Sequence, residues 1–307
     1  MAQSLRFGVV VPQTDWDTLL ARAEQIEALG FDSLWLIDHI AMRTAPDRAI
    51  LEGWTALAAI AARTRRVRLG TLTTNALWRN PVMLAKQIVA VDHISDGRLD
   101  VGLGSGNPGA SYAMAGIDPG TPRERIARFR EIVPLVDRLL RGETVTFQGD
   151  YYHTDGAAMR PGSVQQPRPP FLIGAHAPGS LRIAAQYADT WNSFGGFGLS
   201  PAAALAVTRE RAERLDGYCA ALGRDPRAIR RSFLMGFTQD DPWASVAAYE
   251  DFVGRYREVG IDGFILSSQG RLDAARLALL ERLARGVLPA LRRSSQPQGI
   301  TSAQTPA

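Results

Sequence analysis

The sequence predicts an α/β fold, a (β/α)8 TIM barrel with an insertion between strands 4 and 5. Short apolar runs rich in β-branched residues alternate with segments of helical spacing, and the alternation occurs eight times within 307 residues. The predicted strands are apolar along nearly their whole length, as strands of a parallel sheet covered by helices are. Eight such units fit the size of a closed barrel better than an open doubly wound sheet.

The units follow one another in order. The first four strands are FGVVVP, SLWLID, VRLGTL and RLDVGLG, and the helices after the third and fourth are predicted at about residues 81–94 and 123–140. The alternation is interrupted at residues 141–168, where VTFQGDYYHT predicts a β-hairpin with a Gly-Asp turn. PPFLIGA, DTWNSF, IRRSFLMGF and DGFILSS begin the last four units. We expect residues 1–293 to form one domain and the polar residues 294–307 to be disordered.

Composition excludes several classes of protein. With 46% hydrophobic and 21% charged residues the chain is typical of a globular protein, which excludes a disordered chain, a collagen-like fibre and a small disulfide scaffold. Cys219 is the single cysteine, and neither a secretory signal nor a membrane-spanning run is recognisable, so we expect a cytoplasmic protein. The net charge is +4, and we interpret the densest basic cluster, residues 63–68, as solvated arginines rather than a nucleic-acid surface.

Polar and small residues concentrate at the C-terminal ends of the predicted strands, where the active site of such a barrel lies. Asp38-His39 follows strand 2 and is the only adjacent carboxylate and imidazole at a strand end, which suggests a proton donor; the alternative is a capping Asp38 and a structural His39. Asp92-His93 ends a helix on the opposite side, which indicates a structural role. Residues 178–180 open a helix whose free N–H groups could bind phosphate, unless Ser180 only caps it.

Residues 104–109 spell GxGxxG after a strand, which raises the alternative of a Rossmann dinucleotide site. That alternative is disfavoured because Pro108 and the small residues after it do not predict a helix within the motif. The glycines are interpreted as allowing close approach of a flat or anionic ligand. The four histidines do not cluster with cysteines, so a metal site has little support. This set of residues suits hydride transfer from a bound organic cofactor better than hydrolysis.

Four segments together resemble the luciferase-like monooxygenase superfamily and, more narrowly, its F420-dependent oxidoreductase branch. They are FGVVVPQ, GFDSLWLIDH, LGTLTTNALWRNPVMLAKQIVAVDHISDGRLDVGLGSG and RPPFLIGAHAPGSLRIAAQYADTWN, in the right order over about residues 6–195. The resemblance implies that the 141–168 insertion forms a lid and that a flavin or the deazaflavin F420 binds at the C-terminal face. It also implies a non-prolyl cis peptide bond after strand 3, which by motif position is Leu72-Thr73.

The resemblance also implies roles for individual residues. Those expected beside the ring system or its side chain are Asp38, Leu72, Thr73, Asn75, Ser105 and Gly106. Those expected to hold the phosphate of the cofactor tail are His176, Ala177, Gly179 and Ser180. His39 would be the proton donor beside the hydride-transfer centre. Those expected in the substrate pocket, with Phe194–Phe197 and the 141–168 insertion, are Trp78, Arg79, Asn107 and Tyr112, although the aromatic ones could equally be wall packing.

One residue departs from the pattern. The similar sugar-phosphate dehydrogenases carry a carboxylate acid/base just after the strand-4 GxG, whereas this chain has Asn107, which cannot exchange a proton in that role. Alcohol oxidation of that kind is therefore disfavoured, and reduction of a C=C or C=N bond of a small organic substrate is expected, with a proton from His39. The alternatives are an FMN-dependent monooxygenase that uses reduced flavin and O2, and a non-catalytic flavin-binding barrel. A homodimer is expected because similar proteins are commonly homodimers.

Overall fold

Eight parallel strands close into a barrel in the computed structural model, which describes residues 4–42, 45–267 and 269–294. The predicted fold class is confirmed. The barrel strands are β1 Arg6–Val10, β2 Ser33–Leu36, β3 Arg68–Thr71, β4 Leu99–Gly104, β5 Phe171–Gly174, β6 Thr190–Ser193, β7 Arg230–Met235 and β8 Gly263–Ser267. Their outward side chains and the inner helix faces form one large apolar core, and a smaller cluster fills the barrel interior.

A main helix follows each strand and covers the outside of the barrel. The helices are α1 Trp16–Ala28, α2 Gly53–Arg63, α3 Pro81–Ile94, α4 Pro122–Leu140, α5 Pro178–Tyr187, α6 Pro201–Ala221, α7 Val246–Arg257 and α8 Ala274–Arg282. A π-helical turn, Leu283–Val287, and a last helix, Leu288–Ser294, continue α8. Helix α4 begins with a capping box in which Thr121 and Glu124 each bind the other's backbone N–H, which explains its sharp start.

The barrel closes between β3 and β4, and glycines permit this closure. Leu69 pairs with Leu99 and Gly70 with Asp100. A Cβ on Gly102 would overlap the carbonyl oxygen of Thr71 on the neighbouring strand. The two strands can approach this closely only because position 102 has no side chain.

The insertion contains the predicted hairpin, with strands Val145–Gln148 and His153–Ala157. The carboxylate of Glu131 on α4 accepts hydrogen bonds from three consecutive backbone N–H groups of the hairpin turn, at 2.9 to 3.1 Å. At the other end, Asp92 accepts the backbone N–H groups of Val164 and Gln165, which agrees with the structural role that its position indicated.

These contacts hold the insertion along the outside of α4 and at the end of α3. None of residues 141–168 lines the C-terminal cavity described below. The described contacts of this segment therefore lie on the flank of the barrel, where the carboxylates of Glu131 and Asp92 anchor it. The lid role that the resemblance implied stays a prediction.

The N-terminal face of the barrel carries a ring of charged residues, one at or near the start of each strand. In order from β1 to β8 they are Arg6, Asp32, Arg68, Asp100, Arg168, Asp189, Arg230 and Asp262. Their signs alternate all the way around. Three neighbouring pairs form ion pairs, at 2.6 Å for β3 and β4, 2.6 Å for β5 and β6, and 3.5 Å for β7 and β8. Most of the ring borders a cavity of about 310 Å³.

The C-terminal tail and the lengths of the helices bear on two further expectations. The predicted disordered tail, apart from Ser294 at the end of the last helix, lies outside the described residues. Within the described ranges, every helix is too short or too polar to cross a bilayer.

Candidate active site

The C-terminal ends of the strands surround a cavity of about 550 Å³. Of the residues predicted for the site, those that line it are His39, Leu72, Thr73, Asn75, Ser105, Gly106, Asn107 and His176. Those that do not line it are Asp38, Trp78, Tyr112, Ala177, Gly179 and Ser180. The first group comes from the loops after β2, β3, β4 and β5, so the barrel brings together residues that are far apart in sequence.

The floor of the cavity is apolar and is built where β3 ends. The Leu72-Thr73 peptide bond is cis, at the position that the resemblance implied. Leu72 packs with Val10, Trp35 and two other apolar side chains inside the barrel. Directly afterwards, Thr74–Asn75 pairs with the end of β4. Val10 and Leu72 therefore give the cavity an apolar floor among the polar residues of the surrounding loops.

Asp38 stands behind this surface and organises it. Its carboxylate is buried, accepts the backbone N–H of Asn75 at 3.0 Å, and forms a two-point ion pair with Arg79, in which Nη2 to Oδ1 measures 2.9 Å. Arg79 also contacts Glu52 at 2.9 Å. All of these contacts tie the β2 loop to the segment after β3. Asp38 is thereby placed as a support of the cavity wall and not on the wall itself.

His39 lies on the wall, next to Asp38 in sequence. Its ring meets the Trp78 ring edge-on, with centroids 6.3 Å apart. Burial lowers the pKa of His39 below its ordinary value, and the nearby Asp38 charge opposes that shift without cancelling it. The imidazole is therefore mostly neutral at pH 7, and its protonated form is a stronger acid than an exposed histidine.

Trp78 and Tyr112 form a layer behind Asn75. The Asn75 side-chain nitrogen donates to the Tyr112 hydroxyl at 2.8 Å, and the Trp78 and Tyr112 rings pack edge-on at 5.5 Å. Tyr112 belongs to a short helix, Ala110–Ala115, where the sequence predicted none. A Cβ on Gly106, at φ +78°, would overlap the Tyr112 hydroxyl. Both aromatic residues thus hold the β4 loop in place. This contact pattern fits wall packing, the alternative to substrate recognition that the sequence left open for these side chains.

His176 brings an unpaired polar atom to the cavity. Its ring is half-buried and packs edge-on against Phe194 at 4.6 Å, and its Nε2 is shielded from solvent with no hydrogen-bond partner among the described residues. Burial, with a smaller contribution from the Arg211 charge, lowers the pKa of His176 to about 3. The ring is therefore neutral and can exchange a hydrogen bond with a ligand at little electrostatic cost.

The start of α5 follows His176 and lies just beyond the cavity. The Ser180 hydroxyl accepts the His176 backbone N–H at 3.3 Å and donates to the Ala177 carbonyl at 3.0 Å, so it ties the β5 loop to the first turn of α5. Among the residues that the structure describes, no side chain caps the first N–H groups of this helix, so Ser180 is not its N-cap. Leu181 is the first residue whose N–H is bound within the helix. The N–H groups of Gly179 and Ser180 precede it in the first turn and have no acceptor within the helix, which favours an anion nearby.

Several lining residues were not assigned to the site from the sequence: Gln13, Arg48, Arg125, Phe237 and Gln269. Gln13 and Gln269 stand at strand ends, which was the available signal. Gln13 uses both ends of its amide to join the β1 and β2 loops, since Oε1 accepts the Ile37 N–H at 2.7 Å and Nε2 donates to its carbonyl at 3.1 Å. Arg48 lies in the loop after β2 and Arg125 in the first turn of α4, and no sequence pattern indicated either residue. Among the lining residues that the structure describes there is no aspartate or glutamate.

Comparison with known proteins agrees with this architecture. The chain matches the family model described as luciferase-like monooxygenase over residues 4–295. It is 34% identical over 180 residues to an F420-dependent glucose-6-phosphate dehydrogenase of Kineococcus radiotolerans, an alignment covering 58% of this chain and 52% of that protein, so the matched part spans about half of the relative's length. A Gordonia bronchialis protein of the same name is 31% identical over 79% of this chain and 71% of its own.

A solved structure extends the comparison to the fold. The coenzyme F420 dependent tetrahydromethanopterin reductase from Methanopyrus kandleri superposes with a TM-score of 0.77 over 94% of this chain and 100% of that one. At 17% identity this likeness concerns the fold alone.

Proposed function

Because this chain belongs to the luciferase-like monooxygenase family, we propose that it is an oxidoreductase that uses the deazaflavin F420 to transfer a hydride to or from a small organic substrate. Two relatives are F420-dependent dehydrogenases by name, which supports this choice of cofactor. The observation that carries the proposal is the character of the cavity at the strand ends. It combines an apolar floor with two arginines, two histidines and no described carboxylate.

The residues present fit such a cofactor. F420 has a flat ring system and a chain that carries a phosphate and further acidic groups. The floor at Leu72 and Thr73 and the side-chain-free positions Gly104 and Gly106 offer a surface for a flat ring. The unpaired Nε2 of His176 and the start of α5 offer hydrogen-bond donors for the phosphate.

In the proposed reaction the cofactor and the protein have different tasks. When bound, the reduced deazaflavin supplies a hydride and does not activate O2 usefully. The chain has to exclude water from the reacting atoms, fix the substrate over the floor, and hold a proton. His39 is the lining residue suited to the last task, because Asp38 next to it is fully occupied by Arg79 and the Asn75 backbone.

The residue after the strand-4 glycines supports a proposal for the type of bond that is reduced. Asn107 lines the cavity and offers an amide, which can orient a substrate but cannot take up or release a proton. Oxidation of an alcohol needs a base at the hydroxyl group, whereas reduction of a C=C or C=N bond needs one proton donor. With His39 as that donor, we propose reduction of an activated C=C or C=N bond.

The test compares the two cofactors directly. The protein is titrated with F420 and with FMN while its tryptophan fluorescence is followed, and oxidation of the reduced cofactor is then measured in air and under argon. We expect tighter binding of F420, at micromolar concentration or below, and turnover that does not depend on O2. Preference for FMN with turnover that stops under argon would instead establish a flavin monooxygenase, the activity that the family name suggests.

The role of His39 has its own test. His39→Gln should lower the turnover number about 100-fold while the Kd for F420 stays within about twofold, because a general acid acts on the reacting atoms and not on cofactor binding. Since the pKa of His39 is lowered, the reductive rate should rise as the pH falls towards that pKa, and this rise should vanish in the variant. Equal turnover in the two proteins would remove His39 from the mechanism.

A further inference from the structure

The cavity holds a positive charge that the cofactor does not account for. Arg48 and Arg125 both line it. Arg125 is in the first turn of α4, next to Ile126, against which Gly179 at the start of α5 packs. It therefore stands on the side of β4 and β5, beside the helix start proposed for the cofactor phosphate. Arg48 comes from the β2 loop and contacts the turn after β8, so it stands across the cavity.

The guanidinium of Arg48 is fixed in position, and among the described residues no carboxylate pairs with its charge. Nη1 donates to the carbonyl oxygen of Gln269 at 2.8 Å, and Nη2 donates to the carbonyl oxygen of Gly270. In the part of the chain that the structure describes, both of its hydrogen-bond partners are thus neutral backbone groups. A guanidinium has five N–H donors, so three remain for another group.

The turn that holds Arg48 is itself built for this contact. Gln269 and Gly270 both have positive φ, of +49° and +78°. The Gln269 side-chain amide donates to the carbonyl of Gly236 after β7, which fixes the turn from the other side. A Cβ at position 270 would lie 2.6 Å from Nη1 of Arg48. A glycine therefore lets the arginine approach the turn closely, and the side chain loses little further entropy when it binds a ligand.

We propose that the substrate of this enzyme carries a carboxylate, which binds to Arg48 at the end of the cavity opposite the cofactor phosphate. The inference rests on the proposed function, because the F420 tail is what occupies the Arg125 side. A planar guanidinium with several free N–H groups matches a carboxylate in charge and geometry. Among the described lining residues near Arg48 in sequence, Met42, Ala49 and Ile50 add apolar surface and no second cation, which suits a monoanionic organic acid better than a phosphate.

The test measures binding rather than turnover. Three monocarboxylates, crotonate, benzoate and phenylacetate, and their uncharged amides are titrated into the protein saturated with oxidised F420, with ligand-observed NMR as the readout. We expect at least one carboxylate to bind about tenfold or more tightly than its amide, as loss of a charged hydrogen bond implies. Arg48→Gln should abolish the difference by weakening the carboxylate alone, whereas Arg48→Lys should keep part of it.

Arg125→Gln is the matched control. It removes the same charge from the other side of the cavity, so it should weaken F420 binding and leave the preference for carboxylate over amide unchanged. Thermal unfolding of each variant shows that it is folded. If no carboxylate binds more tightly than its amide, or if the preference survives in Arg48→Gln, the inference is overturned.

Failure of the two proposals can be distinguished. If F420 does not bind, the proposed function fails, and the same panel on the ligand-free protein still measures the preference at Arg48. If F420 binds and the preference is absent, only the carboxylate assignment fails.

Discussion

His176 is a histidine that the folded protein keeps neutral, and this makes its stability sensitive to acid. In the folded state the pKa of His176 is about 3, because burial disfavours the charged ring and, to a smaller extent, because the charge of Arg211 lies nearby. In the unfolded chain its pKa is about 6.5. Between these two values the unfolded chain binds a proton that the folded protein does not. Folding stability due to this group is therefore complete above pH 6.5 and is lost as the pH falls.

The magnitude follows from the two pKa values. Between pH 7 and pH 5 the unfolded state gains about 2 kcal/mol from protonation of this one residue. The figure changes little for any folded-state pKa well below 5, because the folded protein then remains unprotonated over the whole interval. Replacing the ring by a side chain that does not titrate, as in His176→Gln, should therefore remove about 2 kcal/mol of acid destabilisation.

The assay is urea unfolding at pH 7, 6 and 5, followed by circular dichroism and tryptophan fluorescence. The wild-type protein should lose about 2 kcal/mol more than His176→Gln over this range. His153→Gln, which removes an exposed histidine of the hairpin, is the control and should behave as the wild type does. If wild type and His176→Gln lose the same free energy of unfolding between pH 7 and pH 5, the assignment of a buried neutral imidazole is wrong.

Two further predictions concern the framework of the site. Arg79→Leu should destabilise the protein by about 3 to 5 kcal/mol, because it leaves the buried carboxylate of Asp38 unpaired; Glu52→Gln, at the exposed end of the same network, should cost less than about 1 kcal/mol, and equal effects in urea titrations would contradict this ranking. Gly102→Ala should abolish soluble, folded protein because its Cβ would overlap the neighbouring strand, whereas Gly254→Ala, with open space around it, should raise the free energy of unfolding by up to about 1 kcal/mol.

The fold could be predicted because its signals are local. Each strand and helix has its own pattern of apolar residues, and eight repetitions leave few architectures. The hairpin between β4 and β5 was predicted from its Gly-Asp turn. Even the approximate site could be placed, since chain direction alone determines which loops meet at the C-terminal face.

What the sequence did not indicate depends on contacts between distant residues. Asp38 was expected beside the ring system, but its partner Arg79 is 41 positions away, and only the folded loops bring the two together. Arg48 shows the same limit, because the residues that orient it are 221 and 222 positions further along the chain. Glu131, which holds the hairpin on the flank of the barrel, carries no motif. Side chains that support a site through tertiary contacts follow no periodic pattern in the sequence, so the sequence alone does not identify them.

The ring of charges at the other end of the barrel limits how this fold can change in evolution. Alternating signs can close only over an even number of strands. Deletion or duplication of a single strand and helix unit would place two charges of like sign side by side, whereas deletion or duplication of two adjacent units would preserve the alternation. Moving the chain ends to another loop would also leave the ring intact. The N-terminal face therefore favours recombination in pairs of units, independently of any change in the chemistry at the opposite face.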